Sequence, residues 1–152
     1  MRLLTGHDRA VADFLAGLSP IEQPRFRDGE FTGFGVINDA GALVAGIVFS
    51  DWRPAFRTVE LSGAALDPRA FSIPIVAALG AYAFGQLNSF RVWARTSTDN
   101  RLARNRLRKF GFKEESVSAH HYGQGKHAVT LRLIRPVWER QAWAQTHDRK
   151  AA

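Results

Sequence analysis

Arg91-Val92-Trp93-Ala94, then Thr98-Asp99-Asn100-Arg101-Leu102-Ala103, and seven residues later Phe110-Gly111-Phe112-Lys113-Glu114-Glu115, are the stretches whose reading decides the fold. The first is a short β-prone run, Phe90 to Ala94. The second brings Thr98 or Asp99 to the position where a short oxygen-bearing side chain caps a helix, and five of the nine residues that follow, Arg101 to Lys109, are basic. Gly111 stands where a left-handed residue ends a helix, and a charged strand starts at Lys113. Strand, arginine-rich helix and strand in succession predict an α/β chain.

The same reading extends in both directions. Lys113 to Tyr122 and Ala128 to Ile134 form an antiparallel pair around Gly123-Gln124-Gly125, and a last short helix covers Trp138 to Trp143. Upstream, Ser72 caps a helix that runs to Asn88, with Pro74 in its first turn. Little of that helix is polar, so it is expected against a sheet. Thr58 to Ala65 is a strand with Glu60 and Ser62 on one face. Its small segment Ser62-Gly63-Ala64-Ala65 suits a bulge or a close ligand approach. Phe31 to Ile37 and Ala42 to Ser50 flank Asn38-Asp39-Ala40-Gly41 as a hairpin. Val11, Phe14, Leu15 and Leu18 give His7 to Leu18 a helical period. Met1 to Leu4 is a short strand, and Ile21 to Glu30 is an irregular stretch read as a helical turn and a mobile loop. The order is β-α-(α)-β-β-β-α-β-α-β-β, a mixed sheet (α+β in composition) with two crossover helices.

Composition sets the bounds. The 152 residues, 45% hydrophobic and 23% charged, suit one domain, expected over 1–144 with a frayed tail at 145–152. The chain has no cysteine, which excludes disulfides, thiol catalysis and cysteine-based zinc sites. No apolar run approaches the roughly 20 residues of a membrane span, and the N-terminus turns polar too early for a signal peptide. A cytoplasmic protein is expected, with no membrane partner and as monomer or homodimer. The net charge of +7 points to a nucleic acid, an acidic membrane surface or a phosphorylated small ligand. No Walker loop, GxSxG elbow, HExxH or metal-ligand spacing is present, so no metal is expected.

Asn-x-x-Ala from Asn100 to Ala103, a helix, then Gly111-Phe112 before a charged strand resembles the GNAT superfamily of acyl-CoA-dependent N-acyltransferases. The specific part of the resemblance lies within roughly residues 58–122. Asp51-Trp52 through Gln86-Leu87 is also similar to GNAT-like proteins of phages and prophages. The resemblance implies a GNAT-like fold and acetyl-CoA as cosubstrate. A bulged strand at Ser62, Gly63, Ala64 and Ala65 would hold the pantetheine arm, and Asn100 would contact the cofactor. Arg69 and Ser72 belong to the phosphate loop before the helix that starts near Pro74. That loop departs from the family's pattern: Ser72 and Pro74 stand where small residues belong, and Pro74 lacks an N–H. Leu107 occupies the position of the family's general-acid tyrosine.

Each candidate carries two readings. Arg101, Arg104 and Arg108 on neighbouring turns bind phosphate or form a solvated face that complements the helix end. Asn100 contacts cofactor or makes local hydrogen bonds. Glu60 is the candidate general base, or an exposed strand residue paired with an arginine. Trp52, with Arg53, shapes an acceptor pocket or packs. Tyr122 joins the acceptor site. His120 and His121 alternate on a strand and cannot form a one-faced metal pair. Trp138 and Trp143 are core or interface residues. The leading expectation is acetyl transfer from acetyl-CoA to a primary amine, on a small molecule or a peptide, by direct attack in a ternary complex. A non-catalytic GNAT-like binding or phage-associated module and a nucleic-acid binder using 101–109 are the alternatives.

Overall fold

The computed structural model describes residues 1–18, 26–141 and 144. Its strands are β1 (Arg2–Leu4), β2 (Phe31–Ile37), β3 (Leu43–Arg53), β4 (Thr58–Ala65), β5 (Arg91–Ser97), β6 (Lys113–Ser118) and β7 (Ala128–Ile134). They form one seven-stranded sheet in the order β1-β2-β3-β4-β5-β7-β6. Every neighbouring pair is antiparallel except β4 with β5. A parallel pair needs a crossover, and helix α2 (Ile73–Gly80) supplies it. The mixed α/β architecture expected from the sequence is present.

The two sheet faces are covered differently. Helix α1 (Asp8–Leu18) buries Val11, Ala12 and Leu15 against Phe31 and Val48. Full burial of Val11 and of Leu15 contributes about 1.5–3 kcal/mol each. Gly33 permits this approach, because a Cβ there would lie 3.1 Å from Asp8 Cα and from Val11 Cβ. Asp8 Oδ1 fastens the helix by accepting from Gly33 N–H at 3.0 Å. The other face carries the main core: Ile75, Leu79 and Phe84 from the α2 region pack on Val59, Val92, Leu131 and Leu133. Leu107 and Phe110 pack there from the side of helix α3 (Arg101–Lys109), and Trp138 from helix α4 (Arg135–Glu139).

Several boundaries differ from expectation, and β5 runs on to Ser97 past the expected end at Ala94. The α2 segment does not continue as regular helix to Asn88: Ala81–Gln86 is a π-helical turn, closed by Leu87 N–H donating to Tyr82 O at 2.8 Å. Helix α3 (Arg101–Lys109) is capped by Asn100 rather than Thr98 or Asp99. β6 ends at Ser118, so His120 and His121 lie in a turn and not on alternating strand positions. His120 has φ 55°, its N–H donates to His127 Nδ1 at 2.9 Å, and its own Nδ1 accepts from Gly125 N–H. The last helix, α4, is Arg135–Glu139, because Pro136 suits its first turn; it holds Trp138 but starts before it. Trp143, residues 21–25 of the predicted loop and the 145–152 tail lie outside the described residues. Among the described residues, no helix is long and apolar enough to cross a membrane.

Candidate active site

The sheet parts at its centre. β4 and β5 pair only over Thr58–Arg91, Val59–Val92 and Glu60–Trp93. Beyond that point β4 stays on β3, through Ser62–Val48 to Ala65–Ala45, while β5 stays on β7 as far as Ser97–Ala128. From Leu61 to Ala65, β4 has no strand on its β5 side. The bulge expected in β4 is not there: its register with β3 is continuous from Glu60 to Ala65. The irregularity falls on β3 between Ser50 and Arg53, facing Glu60 and Thr58. Asp51, within it, has φ 52°.

A cleft of about 940 Å³ occupies the parting and reaches both sheet faces. Glu60, Ser62, Gly63 and Ala64 line it from β4, Asn100 from the α3 start, and Tyr122 from the β6–β7 turn. These six sequence candidates are thus brought together. Ala65, Arg69, Ser72, Arg104 and Trp52 are not in its lining. Glu60 sits at the vertex, in the last residue pair before the strands separate.

The arginines are distributed by the carboxylates available to them. Arg69 turns back on Asp67, with Nη2 to Oδ2 at 2.8 Å and Nε to Oδ1 at 3.1 Å. Arg104 holds Glu114 through Nε at 2.7 Å and Nη2 at 3.1 Å, and donates to Thr98 O at 2.6 Å. Arg108 adds Nη2 to Glu114 Oε1 at 2.6 Å. Hydrogen bonds from Arg104 first, and then from Arg108, hold the Glu114 carboxyl down to about 2. Two of the three arginines singled out on this helix therefore anchor edge strand β6.

On α3 the arginine that lines the cleft is Arg106, outside the set Arg101, Arg104 and Arg108; Arg95 of β5 and Arg27 line it as well. The Arg106 guanidinium lies 5.1 Å from the Phe71 ring centroid, and burial pushes its pKa down. Ala103, Arg106, Leu107 and Phe110 all line the cleft, a helical 3-1-3 spacing that is visible in the sequence. Arg106 is placed at the entry to α2, since Phe71 directly precedes that helix's N-cap, Ser72. There Pro74 removes one of the unpaired first-turn N–H groups, and Ser72 makes no side-chain cap.

Asn100 is committed locally. Its Oδ1 accepts from Ala103 N–H and its Nδ2 donates to Thr96 Oγ1, each at 3.2 Å. Leu107, at the expected acid position, lines the cleft with no proton to give. Trp52 lies on β3 itself, which runs to Arg53 rather than stopping at Ser50, and borders a second cavity. Among the described residues no group of three or more His, Asp or Glu is placed to hold a metal.

By sequence, no family model and no curated protein matches this chain. Solved structures do resemble it. Mutant forms of the spermidine/spermine N-acetyltransferase SpeG from Vibrio cholerae match with a TM-score of 0.75 at 14% identity, over 93% of this chain and 98% of that one. The same enzyme in complex with CoA and spermine gives a TM-score of 0.74 at 14% identity, over 91% and 98%. A probable acetyltransferase gives 0.63 at 22% identity, over 73% and 64%. The parted parallel pair and the strand order define a class: this is the GNAT fold. Within it, the chain is similar in shape to the SpeG acetyltransferases, and at this identity the similarity concerns the fold.

Proposed function

We propose that this chain transfers an acyl group, acetyl by default, from acyl-CoA to a primary amine. The carrying observation is the parting of β4 from β5 beyond Glu60, with an unpaired strand edge facing a cleft of about 940 Å³. An extended amide-bearing arm can add to such an edge as a further strand would. The small residues Ser62, Gly63 and Ala64 leave the backbone accessible there. The SpeG structure with CoA and spermine supports the choice of cosubstrate and of an amine as acceptor.

The roles follow from position. The thioester is the electrophile that acetyl-CoA supplies when bound. Glu60, at the vertex, takes a proton from the acceptor ammonium so that the amine nitrogen can attack the carbonyl carbon. The C–N bond forms, the C–S bond breaks, and the thiolate leaves. The thiolate is a tolerable leaving group, so Leu107 in place of an acid does not bar the reaction. Backbone N–H groups of the β4 edge stabilise the developing oxyanion. Arg106 supplies the charge for the diphosphate beside the α2 entry. It thereby offsets Pro74, whose missing N–H weakens the helix terminus as an anion site.

Thiol release measured with acetyl-CoA and a panel of amines tests this reading. Glu60→Gln is expected to lower kcat at least tenfold, while the Kd for acetyl-CoA stays within about twofold. Unchanged kcat removes Glu60 as the base. Absence of both turnover and cofactor binding leaves a GNAT-shaped module without catalysis.

A further inference from the structure

The cleft has a neighbour. A second cavity of about 450 Å³ lies at the end of β2 and β3, and Glu30, Phe31, Phe49 and Asp51 border both. Trp52 and Tyr82 line only the second one. We propose that this cavity receives an alkylammonium group, and that the acceptor is accordingly an amine with a second cationic centre. The acceptor part of this inference rests on the acyl-transfer reading; the ammonium site does not.

Three observations converge on a cation with apolar substituents. The walls are aromatic. Tyr82 is carried inward by the π-helical turn, and its ring lies 4.8 Å from Phe34 and 5.2 Å from Phe49. The Tyr82 hydroxyl lies 3.1 Å from Thr32 Oγ1 and is hydrogen-bonded to it, so that polar tip is already engaged. Trp52, half-buried beside it, adds an indole surface. Electron-rich ring faces attract organic ammonium ions.

The rim is acidic in a chain of net charge +7. Glu30 and Asp51 are the residues just beyond Phe31–Ser50, the last pair at that end of the β2–β3 ladder. Two carboxylates thus stand just past the end of this ladder, and both border the second cavity, where a cation would be attracted to each. Asp51 has a partner, Arg53, with Nε at 3.2 Å. Glu30 is exposed, and among the described residues no side-chain ion pair or hydrogen bond engages its carboxylate.

The β3 irregularity explains why the two compartments meet. The extra residue between Ser50 and Arg53 gives Asp51 its positive φ, and Asp51 borders both cavities. Glu60, across the ladder from Ser50, borders the cleft alone. A diamine spanning the boundary would put one nitrogen at Glu60 and the other between Glu30 and the rings of Trp52 and Tyr82. A monoamine of equal length would leave the second compartment to water.

Two measurements on the full chain test this. Calorimetric titration with tetramethylammonium chloride, against sodium chloride at equal ionic strength, reads the site without catalysis. Binding is expected to weaken at least fivefold in both Glu30→Gln and Trp52→Ala. The exposed Glu30 keeps the test valid should Trp52→Ala misfold. The KM ratio of pentylamine to 1,5-diaminopentane reads the acceptor. It is expected to exceed tenfold and to collapse toward one in Glu30→Gln. Equal KM values with no preference for tetramethylammonium over sodium overturn the proposal while acyl transfer stands. Tetramethylammonium binding that the variants weaken, in a protein that neither binds nor turns over acetyl-CoA, keeps the ammonium site and removes the acyl-transfer reading.

Discussion

Gly80 shows how closely single residues are constrained around the site. A Cβ at this position would lie 1.7 Å from Trp138 Cη2, and Trp138 also stacks on Phe84 at 5.4 Å between ring centroids. The α2 region is thus locked to α4 through one missing side chain. Gly80→Ala is expected to destabilise the fold by about 1–3 kcal/mol, the range for overpacking a dense core. A urea midpoint that does not move would contradict that packing. The place of Glu60 on the cleft, on the same side of β4 as Ser62, is legible from simple alternation along the strand. Arg106 was hidden for a physical reason: charge run and motif drew attention to Arg101, Arg104 and Arg108. Which arginine of α3 lines the cleft depends on where Glu114 sits, and Glu114 is on strand β6. Trp138 likewise could be assigned to the core in advance, but its fit against Gly80 could not.

At the scale of elements, helix α3 divides its basic residues between two tasks. Arg104 and Arg108 clamp Glu114 and so tie edge strand β6 to the helix, while Arg106 turns to the cleft over Phe71. The two kinds are expected to separate on mutation. Arg106→Ala should weaken acetyl-CoA binding about 10–100-fold, the loss of one charged hydrogen-bonding contact, with thermal stability nearly unchanged. Arg104→Ala should lower stability, with a smaller effect on cofactor affinity. Calorimetry and thermal melts on both variants check the separation.

The Glu114 clamp also has a pH signature. Its carboxyl is held at about 2 in the fold, below the 4.5 of an unperturbed group. The unfolded chain therefore takes up this proton first as the solution is acidified. The stability it contributes is complete above about pH 4.5 and is lost as pH falls toward 2. Glu114→Gln should be less stable than the parent at neutral pH, and the difference should shrink through that window. A constant difference would contradict the clamp. The elements themselves were largely readable, because α1, β2, β4 and β7 carry clean helical or two-residue periods. The π-helical turn and the early end of β6 were not, since both arise from long-range packing and from the His120–His127 turn.

Over the whole molecule, strand order and the proposed function meet at one place. A chain that pairs β4 with β5 for three residues and then lets them diverge gives up sheet hydrogen bonds in its own centre. That loss is stable only because α1 closes one face and the α2 and α3 helices close the other. The overall order was legible in the sequence from the alternation of strand and helix patterns around Asn100. The parting was not, because it is a matter of register between β4 and β5, which no single segment encodes. The position of the bulge on β3, opposite the strand expected to carry it, has the same origin. The central claim is that this parting is an acyl-CoA site, and titration of acetyl-CoA into the full chain by calorimetry tests it most directly. Binding with one site per chain and a Kd on the order of 1–100 µM, retained by desulfo-CoA and weakened in Arg106→Ala, is the predicted result. No heat of binding at millimolar acetyl-CoA, from a chain shown by its melt to be folded, would contradict it.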